Sequence, residues 1–224
     1  AGMKIVLLKQ SISGHANRHF KTTIMKHLIL LSLISFLVSS KTFSQDTLWT
    51  ESNKQALINN YIRTQNEINA ETKNLKIGQW NFKETKDSWS IAEVLEHLNM
   101  WQLITQDHIR FMLYNGPQPD LTKSAMSDSV ATTFIYEEKK HVSPDLTIPT
   151  GQVSDSSNLK LFNSYCDRII KNIKASDINF QIYFRRFTDG YMTNMNQAYI
   201  IQYGHVDRHL RQIRRIKSNV NFPK

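Results

Sequence analysis

Three histidines occupy positions in this sequence where packing alone would favour leucine. His97 lies in the segment SWSIAEVLEHLNMWQ, and His205 and His209 lie four residues apart in YGHVDRHLRQIRRI. Each falls among apolar residues that recur every three or four positions, the spacing of one buried face of an α-helix. A buried imidazole without a partner costs about 1 to 3 kcal/mol, so three of them need a specific partner.

The helices that carry these histidines place them at the same depth if the two helices run antiparallel. His97 is seven residues beyond Ser90, and Ser90 and Glu93 have the spacing of a capping box at a helix start. His209 is eight residues before Lys217, the expected end of the last helix. Both histidines of the last helix share one face at i and i+4, and His97 can approach from the facing helix. We therefore expect the three imidazoles to form one site.

Three imidazole nitrogens with an open fourth position are typical of a catalytic metal site rather than a structural one. Imidazole suits zinc, nickel, iron and copper, and the residues alone do not choose among them. The HxxxH pair of His205 and His209 is a weak signal by itself, because such pairs often face solvent or bond locally. The third histidine at matching depth strengthens it. The sequence predicts a metal ion held by His97, His205 and His209.

Four further residues could do chemistry, and each also has a simpler interpretation. Trp101, one turn beyond His97, would form a wall of the site or serve as a core aromatic. Glu93 could orient a ligand or act as a base, although its capping role already explains it. His108 lies about 16 Å along the helix axis from His97, too far to bind the same ion. Cys166 lies in an apolar helical stripe and is expected to be a buried hydrophobe rather than a nucleophile.

Four segments of the chain have helical periodicity, and almost none alternates as a strand does. The predicted helices span residues 51–74, 90–114, 157–175 and 193–217. The second and third are joined by about forty residues, 115–156, which is unusual in a compact domain. That length makes sense if these two helices run parallel, because the chain must first travel back along the bundle. The expected fold is all-α, a four-helix bundle ordered up, down, down, up.

Two shorter pieces are expected to have structure of their own. The stretch VATTFIYEE within the long connection is predicted to form a short strand or a short helix. Residues 177–192 contain alternating apolar side chains, which predicts short extended structure before the last helix.

The basic charge of the chain is concentrated in its first 44 residues. The 224 residues include 28 basic and 19 acidic ones, and residues 1–44 hold six of the basic and none of the acidic. From Met25, a short basic start, an apolar run and small polar residues follow one another, the layout of a secretory signal peptide. The apolar run is shorter than the roughly 20 residues that span a bilayer, so no permanent membrane anchor is expected. We predict cleavage between Ser44 and Gln45, an exported (periplasmic or secreted) protein, and a folded domain over 45–224.

The last helix carries a cluster of cations, which we call the basic cluster: Arg208, Arg211, Arg214, Arg215 and Lys217. Cations in the last turns of a helix offset its dipole, and such a patch is ordinary on an exposed face. Export also argues against DNA, so no nucleic-acid partner is expected.

The two histidine segments resemble the DinB/YfiT-like metal-dependent proteins, which pair a Trp-Ser helix start and one histidine with an HxxxH in the last helix. The resemblance implies a four-helix bundle of the same order and one divalent ion, usually zinc or nickel, on His97, His205 and His209. Relatives include transferases and isomerases that use low-molecular-weight thiols, and many members without known activity. The family is mostly intracellular, whereas this chain is predicted to be exported.

The leading hypothesis is an exported metalloprotein whose open site serves a metal-dependent transferase, with a thiol as one substrate class, or a hydrolase of a small molecule. The first alternative is a non-catalytic metal-binding module, which a fourth protein ligand would favour. The second is a metal-free helical interaction protein, in which the three nitrogens would not converge. A homodimer is expected from the resemblance and from the apolar surface that small bundles leave exposed. The sequence identifies no catalytic base.

Overall fold

The helices of the computed structural model lie close to those that the periodicity predicts. The structure describes residues 49–136, 143–186 and 192–224. Its labelled elements are α1 (Glu51–Thr72), α2 (Ile77–Trp80), α3 (Ile91–Asn115), α4 (Asp128–Tyr136), α5 (Ser157–Ala175), β1 (Phe184–Arg186), β2 (Met192–Asn194) and α6 (Met195–Lys217). The long helices α1, α3, α5 and α6 confirm the four predicted ones, and α5 has the predicted bounds.

Side chains at the helix ends explain where three of the long helices begin. The side chains of Thr50, Ser90 and Asn194 each accept a hydrogen bond from the backbone N–H three residues later. In each case the side chain of that later residue accepts a hydrogen bond from the backbone N–H of the capping residue. These reciprocal bonds satisfy amides that have no partner within the helix. The predicted capping box of Ser90 and Glu93 is therefore confirmed. Helix α3 is followed by Gly116 at φ 76°, a backbone conformation that glycine adopts without strain.

Hydrogen bonds between the long helices give the direction of each. Helices α1 and α5 are antiparallel, because their bonded pairs are Gln65 with Asp167 and Asn69 with Asn163. Helices α3 and α5 are parallel, because their pairs are Asn99 with Asn158 and Gln102 with Cys166. Helices α1 and α6 are parallel, because their pairs are Tyr61 with Gln202 and Glu71 with Lys217. The bundle therefore runs up, down, down, up, as predicted.

The core of the bundle consists of two apolar clusters with a polar layer between them. One cluster contains Tyr61, Ile109 and Met195, and the other contains Ile68, Leu98 and Leu210. Between these clusters α1, α3 and α6 contribute buried polar side chains, of which we call the following the central polar layer: Thr64, Gln102, Thr105 and Gln202. The histidines lie beside this layer, toward the second cluster.

The buried face of α3 differs from the predicted one in its second half. The sequence pattern continues the stripe of His97 through Trp101 to Phe111, but Phe111 is 54% exposed, and Ile109 and Met112 are buried instead. The true core stripe is displaced by about one residue, or about 100° around the helix. The stripe of His97 is therefore one edge of the buried face rather than its centre, and His97 meets α6 from this edge.

The long connection is partly helical, and the piece before α6 is partly extended. Between α3 and α5 the chain forms a 3-10 helix (Pro119–Ser124), then α4, then a 3-10 helix (Asp145–Thr147). Helix α4 decides between the two predicted alternatives for the start of VATTFIYEE, whose last residues lie outside the described ranges. Strands β1 and β2 pair antiparallel, as expected of extended structure. Residues Phe180–Ile182 form a 3-10 helix rather than a strand, because the Asn179 side chain accepts from the backbone of Gln181.

The predicted leader, residues 1–44, and its cleavage site lie outside the described residues, so the leader and the domain boundary stay predictions. None of the described helices combines the length and the apolar character that crossing a membrane requires.

Candidate metal centre

The structure brings His97 of α3 together with His205 and His209 of α6. The Nε2 atom of His205 lies 2.9 Å from Nε2 of His97 and 3.2 Å from Nε2 of His209. Each histidine offers one nitrogen within 4.8 Å of the nitrogens of the others. His97 and His209 are 2% and 6% exposed, and His205 is the more accessible of the three. The predicted convergence of the three residues is confirmed.

The other ring nitrogens of His97 and His209 are held by oxygen acceptors. Nδ1 of His97 lies 2.6 Å from the backbone carbonyl oxygen of Thr147, and Nδ1 of His209 lies 2.8 Å from Oε1 of Gln212. A carbonyl oxygen carries no proton, so each Nδ1 must be the donor. In the neutral imidazole the Nε2 atom then presents a lone pair, and both lone pairs point into the cluster.

The three Nε2 atoms are better arranged to bind a divalent cation than to hydrogen bond to one another. The Nε2 atom of His205 carries at most one proton, which can bridge to His97 or to His209 and not to both. One of the two close nitrogen contacts therefore has no proton between its atoms. Three nitrogens around a tetrahedral zinc ion lie about 3.3 Å from one another, and the two distances from Nε2 of His205, 2.9 and 3.2 Å, are close to this value. A cation in the middle would accept all three lone pairs.

Burial keeps these imidazoles in the neutral form that metal binding requires. Burial lowers the pKa of His97, although the hydrogen bond to Thr147 acts in the opposite direction. Burial and the neighbouring histidines hold the pKa of His205 well below its usual value, and they lower the pKa of His209 to about 3. All three rings are therefore neutral at pH 7.

Two tryptophans line the cluster, and the sequence interpretation anticipated one of them. Trp101, predicted to be a wall of the site or a core aromatic, lies with its ring centroid 4.7 Å from the ring centroid of His205. The centroid of the Trp89 ring lies 4.8 Å from the ring centroid of His97 and 6.3 Å from that of His209. From the sequence, Trp89 is only part of a Trp-Ser helix start. Trp89 stands just before the N-cap, about two turns from His97, and this position could have indicated that its ring lies near the histidine.

Glu93 does not take part in the cluster. Its carboxylate accepts from the backbone N–H of Ser90 at 2.8 Å and pairs with Nζ of Lys83 at 2.7 Å. Its capping role is confirmed, and its oxygens are directed to these partners rather than to a histidine. Within the described ranges the group of side chains able to hold a metal contains three members, so no fourth protein ligand closes the site there.

Two other candidate residues lie outside the cluster, as predicted. Cys166 is 1% exposed, and burial raises the pKa of its thiol to about 12, which makes it a packed hydrophobe rather than a nucleophile. His108 is partly buried. Burial and the nearby Arg185 lower its pKa to about 4.

Acidic residues of the neighbouring segments balance much of the basic cluster on α6. Arg214 pairs with Glu67 and Glu71 of α1, at 2.8 and 2.7 Å. Lys217 also pairs with Glu71, and Arg215 pairs with Glu84. These pairs hold the pKa of both α1 carboxyls below the usual value. The cations thus fasten α6 to α1.

Comparisons with known proteins agree with this geometry. No curated protein matches the chain. YfiT from Bacillus subtilis, described as a probable metal-dependent hydrolase with an unusual four-helix bundle topology, matches the structure with a TM-score of 0.50 and 14% sequence identity. The match covers 78% of this chain and 91% of YfiT, and likeness at this identity establishes the fold alone. The family model of the DinB superfamily matches residues 60–213, a range that includes His97, His205 and His209. The chain is a member of the DinB superfamily.

Proposed function

We propose that His97, His205 and His209 hold one divalent metal ion, zinc or nickel, and that the protein is a metal-dependent hydrolase or transferase of a small molecule. The observation that carries this proposal is the convergence of the three Nε2 atoms, with the lone pairs of His97 and His209 directed inward. In His97 and His209 the Nδ1 bond fixes that orientation. Second partners of this kind are the usual means by which proteins orient histidine ligands.

The surroundings of the cluster suit catalysis at an open position. An ion held by three neutral nitrogens supplies a Lewis acid to a substrate that reaches its free side. The Trp89 and Trp101 rings exclude water from two sides of the histidines. His205 is the most accessible of the three, so a substrate approaches from its side.

Hydrolysis is the preferred reaction. The structural neighbour YfiT is described as a probable metal-dependent hydrolase, and a metal ion on three histidines of this chain would supply the Lewis acid that hydrolysis needs. Transfer to a low-molecular-weight thiol is the second candidate, carried by the family resemblance. A non-catalytic metal-binding module is the alternative, and the near-complete burial of His97 and His209 is the observation in its favour. A metal-free interaction protein is disfavoured because the three nitrogens converge.

The location and partners belong to the same proposal. The signal-peptide pattern from Met25 supports export with cleavage near Ser44, and a soluble chain without a permanent anchor. The ion pairs of Arg214, Arg215 and Lys217 support the absence of a nucleic-acid partner, because these cations are already balanced. Exposed apolar side chains on α3, Phe111 among them, support a homodimer.

The test is the metal content of the protein, purified without chelator or histidine tag and measured by elemental analysis. We expect about one divalent ion per chain, lost in the variants His97→Ala and His209→Ala. The matched control is His108→Ala, which removes a partly buried histidine of the same helix and should retain the ion. A wild-type protein that stays metal-free after incubation with zinc and with nickel would refute the proposal. If the ion is confirmed, screens with ester, amide and thiol-acceptor substrates separate hydrolysis from transfer.

A further inference from the structure

One part of the long connection passes over α3 next to the histidine cluster. We call this part, residues 144–151, the strap. Thr147 of the strap is fully buried, and its carbonyl oxygen accepts the bond from Nδ1 of His97. Its backbone N–H and its hydroxyl both donate to the carbonyl oxygen of Pro144, at 2.8 and 2.9 Å. The strap is therefore the element that presents the acceptor to His97.

Glu96, the residue before His97, binds the other end of the strap. Oε1 of Glu96 accepts from the backbone N–H of Thr150 at 2.9 Å and from its hydroxyl at 2.6 Å, and Oε2 accepts from the backbone N–H of Gly151 at 3.0 Å. Hydrogen bonds to a carboxylate are shorter and stronger than neutral ones. Both oxygens of one carboxylate thus hold two successive backbone groups of the strap.

The strap fits tightly against α3 at this point. Gly151 has φ +70°, and a Cβ atom there would lie 3.1 Å from Oε1 of Glu93. The positive φ strains a residue that has a side chain, and a Cβ atom there would also displace the Glu93 carboxylate, so glycine suits this position. Glu96 and His97 project about 100° apart around α3, so the two side chains hold the strap at two separate points.

We propose that Glu96 is a positioning residue for the metal centre. It anchors the strap so that the Thr147 carbonyl holds His97 as the Nδ1–H tautomer, with the Nε2 lone pair facing His205 and His209. Without the carboxylate the strap has lost three of its bonds to α3, and the acceptor for His97 is no longer fixed. The ring then also samples the Nε2–H tautomer, which cannot bind a metal. This role in metal binding rests on the proposed function, whereas its effect on the tautomer does not.

The first test is the zinc affinity of the full chain, measured by competition with a chelating dye. We expect Glu96→Ala to weaken zinc binding by about 10-fold, the lower end of the effect of removing a direct partner of a ligand histidine, because Glu96 acts through the strap that carries Thr147. Glu96→Gln keeps an oxygen for Thr150 and should show a smaller loss. The matched control is Asp107→Ala, an exposed carboxylate of the same helix whose loss should change the affinity less than twofold. Equal affinities of the wild type and Glu96→Ala would overturn the proposal.

The second test needs no metal and separates this proposal from the proposed function. In metal-free protein labelled with ¹⁵N at histidine, two-bond correlation spectra distinguish the two tautomers of each ring. We expect His97 to be the Nδ1–H tautomer in the wild type and a mixture in Glu96→Ala. If Glu96→Ala does not fold, Glu96→Gln and Thr150→Val, which removes the hydroxyl bond alone, take its place. An unchanged His97 tautomer in the folded variants would overturn the positioning role. Failure of the wild type to bind zinc would instead refute the proposed function.

Discussion

The bundle contains two buried polar clusters side by side, the histidine cluster and the central polar layer, and they satisfy their polar atoms in different ways. In the layer, unlike groups meet: the Tyr61 hydroxyl donates to Oε1 of Gln202 at 2.7 Å, and the Gln102 amide lies 3.8 Å from the Cys166 sulfur. The layer atoms left without a protein partner are one acceptor, on Gln102, and one donor, on Gln202. Buried water commonly satisfies such atoms.

In the histidine cluster, like groups meet. Three nitrogens of the same kind face one another, and two of them are fixed as acceptors by their Nδ1 bonds. A proton on Nε2 of His205 satisfies only one of the two inward lone pairs of His97 and His209, whereas one cation accepts both of them and that of His205 as well. The comparison shows that burial of polar groups alone does not indicate a metal site. The indication is the repetition of one donor type with its orientation held from outside.

The largest expected difference between the two clusters is the response to metal. An ion that binds only the folded state at a concentration of about 1,000 times its dissociation constant raises the free energy of unfolding by about 4 kcal/mol. We expect this increase for the wild type in urea denaturation with and without zinc, and none for His205→Ala. Tyr61→Phe, which alters the central layer, should retain the full increase. A similar zinc effect in His205→Ala would place the binding elsewhere.

The second difference is the response to acid of the chelator-treated protein. The pKa of histidine is about 6.5 in an unfolded chain, whereas burial lowers the pKa of His209 to about 3. Between these values the unfolded chain binds more protons, so the stability that is present above pH 6.5 falls as the pH decreases. His209 alone should lower the free energy of unfolding by about 2 kcal/mol between pH 6.5 and pH 5.

Urea denaturation at the two pH values measures this decrease. The amides and hydroxyls of the central layer do not titrate in this range, so Tyr61→Phe should show the same decrease as the wild type. His209→Gln should show a smaller one. Equal stability of the chelator-treated, metal-free wild type at pH 6.5 and pH 5 would contradict the assignment of neutral, buried histidines.

The sequence was sufficient for the helices and for the members of the histidine cluster, because both depend on local rules. The capping box at Ser90 and the three- to four-residue recurrence of apolar positions require only neighbours on one helix. The depth match of His97 and His209 required one further assumption, the antiparallel order. Gln212 could also have been found, because residues three apart share a helix face.

The remaining features of the site depend on irregular backbone that no periodicity encodes. Thr147 lies fifty residues beyond His97 and reaches it only because the strap folds back over α3. Trp89 precedes its helix, so the contact of its ring with two histidine rings depends on how the chain enters that helix. The buried face of α3 could not be located by periodicity alone. Two stripes displaced by one residue have the same periodicity, and only packing against other helices decides that Phe111 is exposed while Met112 is buried.

The smallest expected effect on stability comes from removing the hydrogen bond between Tyr61 and Gln202 in the central polar layer. Tyr61→Phe keeps the ring and its contacts but leaves Oε1 of Gln202 buried without its donor, which should cost about 1 to 2 kcal/mol of the free energy of unfolding. Tyr114→Phe is the matched control, because Tyr114 is 90% exposed and its change should alter stability by less than about 0.5 kcal/mol. Zinc affinity should be the same in both variants and the wild type. A loss of zinc affinity in Tyr61→Phe would mean that the two clusters are coupled through Gln202, three residues before His205. The clusters would then differ in the chemistry of their polar groups, but their contributions to stability and to metal binding would not be independent.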